Sequence, residues 1–280
     1  MEIVRWDTTN FGDCLNDLIW PHFLPHYEKI KQGALLYGVG SLINHRIPDG
    51  VDKYFLGSGF GHGDYPKVDG HYKFVWVRGP RTSKLIHKIS GIVPEYISDG
   101  ALLLNRMYRE PVDKIYEYSF VPHCSVDVGQ LKSRLIESCY KLGINYIDVD
   151  SDRDYVINEI RASKYIMTEA LHGAIVSDAF SVPWIPLSRV GVFDFKWFDY
   201  CESVGRVYTP FQLPYKPSLF DYTGAKGYIK KLGANFIIGN IVGRLKFLLS
   251  SKDYKFADPV VVDNLNERMI AKIHNTFVEC

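Results

Sequence analysis

Between Lys114 and Ser188, short apolar runs alternate with helical patterns, and that alternation constrains the fold more than any other feature of the chain. "KIYEYSFVPH" reads as a strand with its exit, "GQLKSRLIESCYKLG" as an amphipathic helix closed by Gly143, and "INYIDVD" as a strand. "RDYVINEIRAS" is a helix, "KYIMTE" a strand, "LHGAIVSDAFSV" a helix and "PWIPLS" a strand. Strands separated by helices pair in parallel, so the sequence predicts an α/β architecture. The first half keeps the rhythm, with strands at Glu2–Trp6, Ala34–Tyr37, Lys53–Leu56 and Phe74–Val77 and a shorter one near Tyr96–Ile97. Helical patterns fall at about Leu15–Phe23 and Thr82–Ile89.

At 280 residues the chain suits one large or two medium domains. The polar, proline-bearing "RMYREPVD" near Met107–Asp113 is the natural junction. We therefore expect two Rossmann-like domains, 1–112 and 113–280, facing each other across a cleft lined by strand-end loops. From about Phe193 the chain is mostly helical, interrupted by "YTPFQLPYKPSLFDYTG", and the final helices are expected to cross back onto the first domain. The most apolar late stretch, "GANFIIGNIVGRLKFLLSS", carries Arg244 and Lys246 and reads as an amphipathic helix rather than a membrane span.

Charge excludes whole classes of function. With 33 basic and 32 acidic residues, no global field draws the protein to nucleic acid or to an anionic membrane. The five cysteines, Cys14, Cys124, Cys139, Cys201 and Cys280, form no CxxC pair, so reduced thiols are expected rather than zinc ligands or disulfides. "MEIVRWDTTNFGD" lacks an apolar signal region, which leads us to expect a cytoplasmic protein, including one held at the inner face of the membrane.

The residues able to do chemistry sit at strand exits. In "NFGDCLND", Gly12 permits close backbone approach and Asp13 is placed to cap a helix; a phosphate cradle is the functional alternative. "GVGS" lacks the third glycine of a dinucleotide fingerprint and "GSGFGHG" runs into a loop rather than a helix, so a nicotinamide fold is not expected. In "VWVRGPRTSKL", Arg78 offers a fork to a carboxylate or phosphate at a helix start, with an ion pair as its other use. His123 follows a buried strand in "SFVPHCS", where it either lines a site or bonds a neighbouring loop. In "TEALHGA", Thr168 and Glu169 end a strand and His172 opens a helix, whose dipole favours a neutral imidazole. Gly173 lowers helix propensity by about 1 kcal/mol relative to Ala, which points to close approach of another group. Ser188 and Arg189 close the exits after "WIPL".

In their order along the chain, "NFGDCLND", "GSGF", "VRGPRT", "SDGALLL", "VPH" and "TEALHGAIVSDAFSVPWIPL" resemble the polysaccharide pyruvyl transferases from about Asn10 to Leu187. The resemblance implies a GT-B-like fold, phosphoenolpyruvate as donor, and a sugar acceptor, free or lipid-linked, in a surface polymer. The product implied is a pyruvate ketal bridging two hydroxyls of one sugar. Neither a metal nor a redox cofactor is expected. On that basis the catalytic residues are His172, Glu169 and His123; Arg78, Arg81, Gly173 and Ser58 would bind the donor, and Asp13, Asn16 and Asn10 the acceptor. Cys14 departs from the family pattern, which commonly has an acid there, a role that is either missing or moved to Asp17. A nucleotide-sugar glycosyltransferase and a non-catalytic sugar-binding protein of polymer assembly are the competing readings.

Overall fold

The computed structural model describes residues 1–5, 10–61, 63–123, 130–189, 194–213 and 227–278, with backbone alone at 130–131 and 227–237. Trp6, His62, Cys124, Cys280, Phe193 and the 214–226 part of the aromatic-rich segment lie outside them. The elements begin with β1 (Glu2–Ile3), α1 (Phe11–Cys14), α2 (Asn16–Phe23), β2 (Leu35–Tyr37), β3 (Lys53–Leu56), β4 (Tyr72–Trp76), α3 (Pro80–Ser90) and α4 (Leu104–Met107). There follow β5 (Tyr116–Val121), α5 (Gln130–Lys141), β6 (Ile144–Tyr146), α6 (Arg153–Arg161), β7 (Ser163–Thr168), α7 (Leu171–Ala179) and β8 (Trp184–Arg189). The last are α8 (Phe195–Ser203), β9 (Phe211–Leu213), α9 (Gly227–Leu248) and α10 (Pro259–Phe277).

The chain divides into two units. The first comprises Met1–Arg109, Phe193–Tyr208 and Ala257–Cys280, the second Glu110–Val192 and Thr209–Phe256. In the first unit, β1, β2, β3 and β4 lie side by side in chain order, all parallel. The expected strand at Tyr96–Ile97 is reduced to one parallel bridge between Val77 and Tyr96, because Pro94 lies just before it and a 3-10 helix begins at Gly100. The first helical segment starts earlier than Leu15. Asn10 Oδ1 accepts from the amides of Gly12 (3.0 Å) and Asp13 (3.4 Å), so Asn10 rather than Asp13 is the cap. Pro80 opens α3, where its missing N–H costs nothing, and Gly91 closes it at φ +77°. The core holds a ladder of rings: Phe55 stacks on Tyr37 (5.0 Å), Phe74 (4.9 Å) and Tyr72 (5.2 Å).

Helix α10 is part of this first unit. Its Asn266 donates to the Leu102 carbonyl (3.2 Å), and its Arg268 and Lys272 reach Glu95 at 3.0 and 2.6 Å. The Lys272 bond, with help from Arg268, holds the Glu95 carboxyl below the usual range.

The second unit carries a five-stranded parallel sheet in the order β6-β5-β7-β8-β9. Side chains alternate across it. Phe120, Met167, Ile185 and Leu187 face Leu135 and Cys139 of α5 and Ile238, Ile241 and Leu245 of α9. Ile166 and Thr168 face the other way, where α7 approaches so closely that a Cβ at Gly173 would lie 2.5 Å from Thr168 Oγ1. Each such buried aliphatic contributes roughly 1.5–3 kcal/mol. The strand β9 is not visible in the sequence, because "FQL" gives only three residues between Pro210 and Pro214. The expected amphipathic helix forms as α9, but its exposed positions hold Gly239, Gly243 and Phe247 beside Arg244 and Lys246, so polarity is not segregated cleanly.

Candidate active site

Strand order singles out a candidate site before any side chain is considered. From β5 the chain moves outward to β6, then returns across β5 to β7. The winding therefore reverses between β5 and β7, and open parallel sheets bind ligands beyond the strand ends at such a point. The described strands of the first unit run in simple order and have no such reversal.

At the ends of β5, β7 and β8 the chain gathers His123, Glu169, His172 and Arg189. Val121 pairs with Thr168 in the last register position, which sets the two strand exits side by side. The Glu169 amide donates to the Val121 carbonyl (2.9 Å), extending the ladder by one bond and fixing where the carboxylate emerges. Glu169 Oε2 then accepts from the His123 amide at 3.3 Å, and Oε1 lies 3.4 Å from Arg189 Nε at the last residue of β8. Both charged groups of that pair are buried. Thr168 Oγ1 donates to the Ala170 carbonyl (2.8 Å) and accepts from its amide (3.0 Å), tightening the turn into α7.

His172 is the second residue of α7, half-buried, with its Nε2 shielded from solvent. The N-cap is Ala170, which has no capping side chain, so the helix presents its leading N–H groups and positive end uncapped by that residue. An anion, a neutral imidazole and a guanidinium suit one another there. Gly173 has an internal explanation: Thr168 Oγ1 and Val121 Cγ1 occupy the space a Cβ would need, at 2.5 and 3.0 Å. Asp178, one turn and more along α7, accepts from Trp184 Nε1 (2.7 Å) and pins the start of β8. That acid is structural.

The residues expected in the first unit are placed differently. Arg78 is fully buried; its Nε donates to Asp199 Oδ2 (3.1 Å), Nη1 to Ser41 Oγ (3.0 Å) and Nη2 to the Phe60 carbonyl (2.7 Å). Asp199 also accepts from the Thr82 amide (2.8 Å) and hydroxyl (2.7 Å). Arg81 donates from Nε and Nη2 to Glu202 Oε1 (2.9 and 2.7 Å) and lies 4.2 Å over the Phe198 ring. Both arginines thus hold α8, spaced three apart to match acids three apart. Ser58 donates to the Gly38 carbonyl. Asn16 Oδ1 accepts from the Val39 amide and Trp20 Nε1, both at 2.7 Å, while Nδ2 donates to the carbonyls of Val39 and Asp13. Asn10 caps α1, and Asp13 is buried near Gly40. Burial pushes the Asp99 carboxyl up to about 6, against the opposing pull of the Arg78 charge.

Among the described residues, no group of three or more His, Cys, Asp or Glu is placed to hold a metal ion. None of their helices is long and apolar enough to cross a membrane.

Comparison with known proteins agrees with the motifs. The profile of the polysaccharide pyruvyl transferases matches residues 5–189, ending on the arginine that meets Glu169. The chain belongs to the polysaccharide pyruvyl transferase family. It is also 35% identical to the succinoglycan biosynthesis protein ExoV of Rhizobium meliloti (strain 1021) over 222 residues, which is 76% of this chain and 68% of that one. No solved structure matches it significantly. For a pyruvyl transferase family member the division is informative: Arg78 and Arg81 lie inside the matched region, but Asp199 and Glu202 lie beyond it.

In the sequence Arg189 reads as a polar residue at a strand exit, without a role. Its signal was positional, a buried strand of six residues ending in a cation.

Proposed function

We propose that the protein transfers the pyruvyl group of phosphoenolpyruvate to two hydroxyls of a sugar, forming a ketal and releasing phosphate. The acceptor would be a sugar of an exopolysaccharide, free or lipid-linked, in keeping with the succinoglycan role in the name of the relative ExoV. The carrying observation lies at the sheet's reversal point: a histidine in the first turn of the helix that follows β7, and a buried carboxylate–guanidinium pair between the exits of β7 and β8.

The chemistry calls for these groups. Protonation of the methylene carbon produces an oxocarbenium-like centre at C2, which one sugar hydroxyl attacks. The C2–O bond to phosphate breaks, and the second hydroxyl closes the ketal. Of the two hydroxyl protons, one ends on the new methyl group and one on phosphate, so no oxidant or reductant is needed. In this reading His172 shuttles those protons, with His123 assisting. Arg189 and the open N–H groups of α7 hold the donor's carboxylate or phosphate. Glu169 positions Arg189 and the His123 loop rather than acting as base, since both its oxygens are engaged. Arg78 and Arg81 hold α8 through Asp199 and Glu202, and Arg189 is held by Glu169; Arg189 is preferred as the donor's ligand because it ends a strand beside the sheet's reversal point.

The GT-B-like arrangement expected from the sequence is part of this proposal. Phosphoenolpyruvate is a cytoplasmic metabolite, which puts the reaction in the cytoplasm. The test is to incubate the protein with phosphoenolpyruvate and a panel of galactosides, glucosides and N-acetylhexosaminides. A product heavier by pyruvate less water, formed with one phosphate per ketal, is expected; turnover of a nucleotide sugar instead would overturn the reading.

A further inference from the structure

A threonine just ahead of a helix ordinarily gives its hydroxyl to an amide of the first turn. Thr168 makes a different bond. Its Oγ1 accepts from the Ala170 amide (3.0 Å) and donates to the Ala170 carbonyl (2.8 Å), so one hydroxyl holds both backbone polar groups of the N-cap residue of α7. That carbonyl also accepts from the Ala174 amide (3.3 Å), which opens the helix's own ladder. Ala170 has no side chain to cap with, and the conformation of the helix start is therefore set from the strand.

The same oxygen reaches α7 a second time. A Cβ at Gly173 would lie 2.5 Å from it, so Oγ1 sits against the helix at residue 173. It thus meets the chain two residues before His172 and again one residue after it. Thr168 is a firm base for this, being fully buried and paired in register with Val121 on one side and Pro186 on the other. Packing alone does not call for an oxygen here. Valine has the same shape, suits a buried strand and brings no polar group out of water. What the oxygen adds is the hold on Ala170.

We propose that Thr168 is a positioning residue for His172: its hydroxyl fixes the helix start from which the imidazole is presented. Its consequence for turnover rests on His172 being the proton shuttle of the proposed transfer, whereas its effect on the imidazole is read without any reaction.

The test compares Thr168→Val, Thr168→Ala and Thr168→Ser in the full chain. Ring signals are followed by NMR on protein carrying isotope-labelled histidine, and the His172 signal is assigned as the one lost in His172→Ala. The valine and alanine variants both lack the oxygen and should displace that signal, while the serine variant keeps the oxygen and should leave it in place. Turnover should fall roughly ten- to hundredfold without the oxygen and stay within about threefold with serine, with the KM for phosphoenolpyruvate nearly unchanged throughout, as for a slightly misplaced catalytic group. A His172 signal that stays in place in the valine and alanine variants overturns the proposal. So does one that serine displaces as far as they do, or a displaced signal with unchanged turnover. If the wild type makes no ketal, the NMR displacement alone decides on Thr168, and the proposed reaction falls separately.

Discussion

At the scale of single residues, Glu169 and Arg189 carry the greatest energetic consequence. Burying a charge costs several kcal/mol unless its partner stays, so removing one member exposes the penalty of the other. Arg189→Met should therefore cost about 3 kcal/mol of stability and raise the KM for phosphoenolpyruvate far more than it lowers the melting temperature alone would suggest. Arg189→Lys keeps the charge without the fork and should recover stability better than KM; thermal unfolding and steady-state kinetics separate the two effects. His172→Ala is expected to lower turnover by roughly 10²–10⁴-fold, the usual worth of a placed proton shuttle, with an unchanged melting temperature. In the first unit, Arg78→Ala should act on stability, by about 3–5 kcal/mol, because it leaves Asp199 buried without its cation.

At the scale of elements, α7 is set against its sheet by one glycine. A methyl group at residue 173 would meet Thr168 Oγ1 and Val121 Cγ1, so Gly173→Ala should shift the helix start that presents His172. A cost of about 1–3 kcal/mol is expected, with turnover falling more than the stability loss accounts for. Calorimetry and kinetics on the same preparation check it. The strand–helix alternation made β5 to β8 legible in the sequence, with Lys53–Leu56 matched at both ends, because buried parallel strands are apolar throughout and bounded by turns. The site was legible where a polar pair broke such a run, as at Glu169 and His172. At Arg189 only the position at a strand exit was legible, since no local motif marks its pairing with Glu169. Nor could the sequence show that Arg78 and Arg81 face Asp199 and Glu202, 121 residues away along the chain. Strand β9 escaped because three residues between prolines carry no periodicity.

At the scale of the whole molecule, the first unit is assembled from chain segments far apart, and its stability should follow pH in two senses. Asp99 has its carboxyl raised to about 6 in the folded protein. Its contribution is fully present below the ordinary carboxylate pKa and is lost as pH rises through about 6. Glu95 is held below its ordinary value by Lys272 and Arg268 of α10, so its contribution is present above that value and lost as pH falls. Denaturant midpoints from about pH 2 to 7 should therefore lose their decline up to about pH 6 in Asp99→Asn and their acid-side decline below the ordinary Glu value in Glu95→Gln. The proposal for the strand ends of the second unit is pyruvyl transfer centred on His172. Its most direct test is acceptor-dependent phosphate release from phosphoenolpyruvate by the wild-type protein and by His172→Ala, measured on equally folded samples. Release by the wild type that falls at least a hundredfold in the variant is the result predicted; equal release by both would contradict it.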